Sequence, residues 1–195
     1  MIARIISPLI IRLIKLKNHR KIEFGKKVRV FPMPYIIVRK NCKVIIGNNV
    51  TLNSANSGYH LNMHSKIKIM ADRLGAKIRI GDNCRIHGAC IHAYKSISIG
   101  ANCLIAANCQ IFDGNGHDLS FSDVANRINT KGGAKEVVIQ DNVWLGANVI
   151  VMPGVLIGKG SVISAGSVVC DDIPPMCLAR GNPAQVIRSY EESNG

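Results

Sequence analysis

Residues 139–174 read IQDNVW LGANVI VMPGVL IGKGSV ISAGSV VCDDIP, six consecutive hexads in one register. Each opens on an aliphatic residue, from Ile139 and Leu145 to Ile163 and Val169, and carries a small, β-branched or aliphatic residue four positions later. Working outward, the same pattern returns as IGANCL IAANCQ from Ile99, IGDNCR IHGACI from Ile80 and IGNNVT from Ile46. The physical account is a parallel β-helix. Three hexads close one turn, first-position aliphatics stack in interior ladders, fifth-position residues fill the narrower space, and Gly and Asn make the tight corners. No coil buries its interior face alone, so both ends need caps, and slips of period between blocks predict loops that interrupt the coil.

Composition agrees with a thin, stacked, repetitive core. The chain has 195 residues, 47% apolar, 19% charged and only 5% aromatic, which bounds it to one domain. Its 25 Lys and Arg against 12 Asp and Glu, a net +13, call for an anionic partner or tolerate one: nucleic acid, an anionic membrane surface or a phosphorylated ligand. No nucleic-acid module is present and the basic residues lack interleaved aromatics, so no nucleic-acid partner is expected. The opening MIARIISPLIIRLIKLKNHRKI places Ile2, Ile5, Ile6, Leu9, Leu13 and Leu16 at helical spacing among Arg4, Arg12, Lys15, Lys17, Arg20 and Lys21, with no acid. It is too interrupted for a bilayer span and has no cleavage site of a signal peptide. Two readings stand: a cap on the coil end, or a weak membrane-surface anchor.

Seven cysteines suggest disulfides or zinc, but Cys84, Cys90, Cys103 and Cys109 occupy fifth positions, where Val143, Val149 and Val155 stand elsewhere, and Cys42 fits the same slot four residues after Val38. They read as small buried hydrophobes; no CxxC occurs, and an odd unpaired set suits a reducing compartment, hence a cytoplasmic location.

Between Ile111 and Val137 the repeat stops, and a polar, turn-rich loop over 112–137 intervenes, too long for a corner. Within it stands Asn115-Gly116-His117-Asp118, followed by the coil Asn142-Val143-Trp144-Leu145-Gly146-Ala147 and the ending Asp172-Ile173-Pro174-Pro175 with Ala179-Arg180-Gly181-Asn182-Pro183-Ala184-Gln185-Val186-Ile187-Arg188. These three motifs, in this order, resemble the hexapeptide-repeat galactoside, maltose and xenobiotic O-acetyltransferases. The hand of the coil does not follow from its residues, since parallel crossovers are normally right-handed; the resemblance implies a left-handed parallel β-helix, all-β apart from a short N-terminal helix.

The resemblance also implies a chemistry. Acetyl-CoA is an activated thioester, so a sugar hydroxyl needs only a base, a fixed approach and a place for the developing oxyanion. His117 matches the family's general base, and the Ala147 main-chain N–H its oxyanion donor. Trp144, Gly146 and Ala165 match the coenzyme cleft, Trp144 having corner packing as its plainer reading. Arg188 matches a coenzyme contact, with Lys159 and Arg180 as further phosphate partners; Gln185 stands where galactoside enzymes carry a second Arg. On the acceptor side His87 and Tyr94 fall near the positions of sugar-holding residues, implying a different sugar, such as a cell-surface glycan precursor. Asp113 and Asn115 are polar candidates for orienting His117 or the acceptor. The family builds its sites at the seams of a homotrimer.

The expected organisation is a basic helix or cap over 1–22, a β-helix over 23–174 and a C-terminal cap over 175–195. Competing chemistry comes from His87 and His92, whose H-x4-H spacing occurs in zinc-binding γ-class carbonic anhydrases on the same coil. It leaves the long loop, the VWLG coil and the proline-bounded tail without a role, so no metal is expected. N-acetylation of an amine by the same base and thioester, and a non-catalytic membrane-associated scaffold, stay open at this level.

Overall fold

Alternation within each hexad turns its aliphatic residues to one side, and the structure stacks them in three sheets. The computed structural model describes residues 2–19 and 21–190, the side chains from residue 6 onward, so the Arg4 side chain and Arg20 of the basic segment and residues 191–195 of the C-terminal segment lie outside what is described. After α1 (Ile2–Lys17) come six coils of three strands each. They are β1 (Ile22–Phe24), β2 (Arg29–Phe31), β3 (Tyr35–Val38); β4 (Lys43–Ile46), β5 (Thr51–Asn53), β6 (Lys68–Ala71); β7 (Lys77–Ile80), β8 (Arg85–His87), β9 (Cys90–Ala93). The second half continues with β10 (Ser96–Ile99), β11 (Leu104–Ile105), β12 (Gln110–Phe112); β13 (Val137–Ile139), β14 (Trp144–Leu145), β15 (Ile150–Val151); β16 (Leu156–Ile157), β17 (Val162–Ile163), β18 (Val168–Val169). First strands form sheet A, second strands sheet B and third strands sheet C, each stacked in coil order and paired in parallel. β19 (Cys177–Gly181) continues sheet B in parallel on β17, and β20 (Ala184–Ser189) turns back antiparallel. The whole is a left-handed parallel β-helix.

Corner chemistry explains the register. Between sheets A and B, Asn49, Asn83, Asn102 and Asn142 all hold positive φ between 54° and 61°. Asparagine tolerates this left-handed conformation and adds side-chain bonds along the edge: Asn49 Nδ2 donates to Asn83 Oδ1 and Asn83 Nδ2 to Asn102 Oδ1, both at 3.0 Å. Inside, Ile86, Ile105, Leu145 and Ile163 form one fully buried ladder of sheet B.

Cys42, Cys84, Cys103 and Cys109 are buried as the hexad predicts. Cys90 is not. Ile86 to Ile91 is one residue shorter than the corresponding Ile105 to Ile111, so Ala89 and Ile91 turn inward while Cys90 faces out, beside Lys68 and Gln110 on sheet C. The short corner makes room for a second interruption, residues 54–67, whose Met63 lies against Gly88; a Cβ at Gly88 would stand 2.6 Å from Met63 Cγ.

The expected long loop is present, trimmed at both ends: Phe112 closes β12 and Val137 opens β13, because both keep sheet register, so the insertion is 113–136. At the opposite end of the coil α1 lies over the first turn. Ser7, Ile10, Ile14 and Asn18 are buried on its inner face; Ser7 Oγ donates to Val30 O (3.0 Å) and accepts from Val30 N–H (2.9 Å), and Asn18 Oδ1 accepts from Val38 N–H (2.9 Å).

Candidate functional site

Sheet B carries an outward apolar stripe over three coils: Leu104, Trp144 and Val162 stand side by side in register, with Arg85 next in line. Loop 54–67 walls this stripe and converts it into a groove of about 550 Å³. The loop is tied within itself by Asn56, whose Oδ1 accepts from Met63 N–H (2.6 Å), and held to the coil by Asn108, whose Oδ1 accepts from His64 N–H (2.9 Å). On the groove's inner wall the Tyr59 ring stacks on His87, centroids 4.3 Å apart and planes 16° from parallel. Burial pushes the Tyr59 phenol up against an opposing bond from the Ala107 amide, and pushes the His87 imidazole down, with Arg85 and His60 adding to it. His87 therefore favours its neutral form, its Nδ1 3.3 Å from Asn53 Nδ2.

The floor is made by corners. Gly146 N–H donates to Ile163 O (2.8 Å), Asn148 N–H to Ala107 O (2.8 Å), Ser164 N–H to Ala179 O (2.9 Å) and Gly166 N–H to Ala147 O (2.8 Å). Among the described residues, the N–H groups of Ala147 and Ala165 take no part in these stacking bonds, so they stay available beside the groove. Only glycine fits at 146, since a Cβ there would stand 2.5 Å from Ala165 N.

Of the residues singled out from sequence, the groove brings together Trp144, Gly146, Ala147, Ala165 and His87. Trp144 is half exposed, so its ring is wall and not corner filler. His117 is exposed on loop 113–136, which leaves the edge between sheets C and A, across the prism from sheet B, and does not line the groove of its own chain. Asn115 lies at the base of that loop, its carbonyl accepting from Arg73 Nη2 (3.2 Å).

Asp113 does not reach an acceptor site. It is fully buried, and its carboxylate accepts three main-chain bonds, from Tyr94 N–H (2.6 Å), Lys95 N–H (2.7 Å) and Ser96 N–H (2.6 Å), which leaves no room for orienting His117 or a sugar. Tyr94 is likewise away from the groove: Arg73 sits over its ring at 3.6 Å, and His92 meets it edge-on at 4.7 Å. Lys159 lies at the sheet A to B edge of the sixth coil, its N–H donating to Gln140 Oε1 (2.8 Å). Arg180 and Arg188 lie on the β19–β20 hairpin that continues sheet B past the groove, Arg188 over the Tyr190 ring at 5.7 Å.

His87 and His92 do not converge. The first faces the groove on sheet B; the second faces Asp72 on sheet C, Nε2 to Oδ2 3.6 Å, too long for a hydrogen bond. Tyr59, His60, Leu61, Arg85 and Leu104 line the groove without having been singled out from the sequence. For Tyr59, His60 and Leu61 the only signal was the break in period between Thr51 and Ile67, whereas Arg85 and Leu104 stand at the sixth positions of regular hexads.

Residues 136–171 match the family described as bacterial transferase hexapeptide (six repeats), and residues 77–112 the hexapeptide repeat of succinyl-transferase. A relative in Escherichia coli K12, named "Putative lipopolysaccharide biosynthesis O-acetyl transferase WbbJ", is 32% identical over 158 residues, 77% of this chain and 81% of that protein. Galactoside O-acetyltransferase of Lactococcus lactis is 38% identical over 59% of this chain and 64% of its own. The match spans 60% and 44% of the length of two yeast relatives, so the chain covers under two thirds of these three. Among solved structures, the polySia specific acetyltransferase NeuO is 27% identical with a TM-score of 0.55 over 89% of each chain.

Proposed function

The chain belongs to the hexapeptide-repeat transferases, and from that membership we propose that it is an acetyl-CoA-dependent O-acetyltransferase acting on a sugar hydroxyl, with His117 as general base. The observation that carries the reading is the groove on sheet B, where an apolar strip of Leu104, Trp144 and Val162 runs beside the two uncommitted amides of Ala147 and Ala165. Such a strip suits the thioester arm of coenzyme A. Ala165 N–H would hold an amide of that arm and Ala147 N–H the oxyanion. The acceptor oxygen attacks the thioester carbon as His117 takes its proton; the C–S bond then breaks and the thiolate recovers that proton, leaving acetylated sugar and free coenzyme A. The stacked Tyr59 and His87 rings, with Arg85, offer an aromatic and polar wall for the acceptor.

His117 must come from another copy of the chain, because its loop leaves the edge opposite sheet B. Loop 113–136 supports this reading. It is tied to itself by Arg127 Nε donating to Leu119 O (2.7 Å) and Asp118 N–H donating to Thr130 Oγ1 (2.8 Å), yet exposes Leu119, Phe121, Val124 and Ile128, with Phe121 80% and Ile128 75% accessible. Exposed apolar side chains on a braced loop are a contact surface, and the threefold prism suits a homotrimer with three seam sites. Seven unpaired thiols support a cytoplasmic location, and the kinship with WbbJ supports a cell-surface glycan precursor as acceptor. Lys159, Arg180 and Arg188 remain candidates for the coenzyme phosphates, a role supported for Arg180 and Arg188 by the β19–β20 hairpin continuing sheet B next to β17.

The test is release of coenzyme A thiol with acetyl-CoA and a panel of sugars, nucleotide sugars and lipid-linked glycans. His117→Ala should lower kcat on the order of 10²–10⁴ while leaving coenzyme affinity near wild type. Transfer at the wild-type rate in His117→Ala would end the proposal.

A further inference from the structure

The face that α1 turns away from the coil is the wrong chemistry for water. With Ser7, Ile10, Ile14 and Asn18 buried beneath it, a surface helix should be polar on top. Instead Ile6, Leu9, Leu13 and Leu16 form a continuous outer ridge at three- and four-residue spacing, Leu9 59% and Leu16 66% accessible. Cations flank that ridge on both sides: Arg12, Lys15 and Lys17 on the helix, with Lys27 of the first coil beside Pro8 and Ile11, all four exposed. The nearby acid, Glu23, is already paired with Lys43 at 2.9 Å.

We infer that the outer face of α1 is a docking surface for an anionic lipid bilayer, lying in the interface with the ridge among the acyl chains and the cations at the head groups. Charge selects this occupant. A second copy of the chain would bring the same cations face to face, whereas an acidic lipid surface neutralises them while covering the leucines. None of the described helices is long and apolar enough to cross a membrane, which fits a helix that lies flat. The helix is also braced for the task, since its Ser7 and Asn18 bonds to the first coil leave the outer face formed and unspent. Because α1 lies over the first coil and Arg85 and His87 stand in the third, the acceptor end of the groove is two coils, about 10 Å at ordinary strand spacing, beyond the coil that α1 covers.

The inference stands apart from the catalytic reading and is tested without it. Full-length protein is sedimented with vesicles of phosphatidylcholine alone and of equal phosphatidylcholine and phosphatidylglycerol. Binding is expected only to the anionic vesicles, falling as salt rises. Leu9→Gln/Leu13→Gln and Arg12→Gln/Lys15→Gln should each weaken it by about tenfold or more, with the thermal midpoint unchanged. Should the leucine pair fail to fold, Leu16→Gln, the most exposed of the ridge, is read in its place. Wild-type protein that leaves anionic vesicles in low salt, or leucine variants that bind as well as wild type, would overturn the inference. So would light scattering in which the leucine variants lose mass that the wild type has, since the ridge would then be covered by another copy.

Discussion

The two loops that interrupt the coil differ in what they do with their apolar residues. Loop 54–67 folds onto its own sheet: Met63 is buried against Gly88, and Tyr59 lies on His87. Loop 113–136 stands away, braced internally and at its stem, with Leu119, Phe121, Val124 and Ile128 outward. One loop completes a wall in its own chain; the other, on the reading proposed above, is completed by a second copy. Placing both on an otherwise monotonous coil would separate stability, carried by the ladders, from the proposed chemistry, which falls at the breaks in period.

The largest effect should come from breaking the outward loop's contact. Phe121→Asp/Ile128→Asp should convert an oligomer to monomer in light scattering and reduce kcat/KM on the order of 10², because His117 would no longer be held at the groove. A fully active monomer would make the two loops equivalent and remove the seam.

Next is the stem. Arg73 donates to Gly132 O (2.5 Å) and Asn115 O (3.2 Å) and stacks over Tyr94, so it fixes both ends of the loop that bears His117. Arg73→Met should lower kcat about tenfold with KM for acetyl-CoA unchanged, and Arg73→Lys should recover only part, because one ammonium cannot replace the planar fork. An equal loss in KM would mean that Arg73 acts on the groove instead.

Much of this contrast could be read from the chain and some could not. The hexads over 139–174 made the ladders and the boundaries of loop 113–136 legible, because an unbroken period on the far side shows where a break ends. Loop 54–67 has only the short IGNNVT block before it and no clean hexad after it until Ile80, so Tyr59 and His60 were marked by nothing beyond the break itself. Cys90 fell on the wrong face because a one-residue shortening reverses every later side chain until the register recovers. Asp113 looked like an acceptor residue because three main-chain donors from Tyr94, Lys95 and Ser96 are invisible in a linear sequence. Residues 46–112 therefore yield their fold more readily than their site.

A pH titration sharpens the difference between coil and groove. Burial pushes the imidazoles of His87 and His92 below the ordinary value near 6.5, with Asp72 opposing the shift at His92. A depressed histidine is neutral in the folded chain, so its contribution is intact above about 6.5 and is lost as pH falls below it, where the unfolded chain binds the proton first. The thermal midpoint should fall from pH 7 to pH 5, and His92→Phe should flatten part of that slope. An unchanged slope in that variant would assign the dependence elsewhere.

The smallest effect belongs to the interior. Cys84→Val adds about one methyl-sized group to a ladder and should cost less than about 1.5 kcal/mol in chemical denaturation. Burial pushes the Cys109 thiol up to about 12, so Ellman reagent should label exposed Cys170 quickly and Cys109 only on unfolding.

The antiparallel return of β20 on β19 also bears on how far such a chain can grow. Identical coils pair strand on strand without limit, so a bare final turn is a template for fibres of stacked molecules. β20 runs against the direction that another coil would need, with Gln185, Val186, Ile187 and Arg188 exposed along it, and α1 closes the opposite end. Both termini of the solenoid are thereby made unlike its middle, which opposes end-to-end stacking of one molecule on the next.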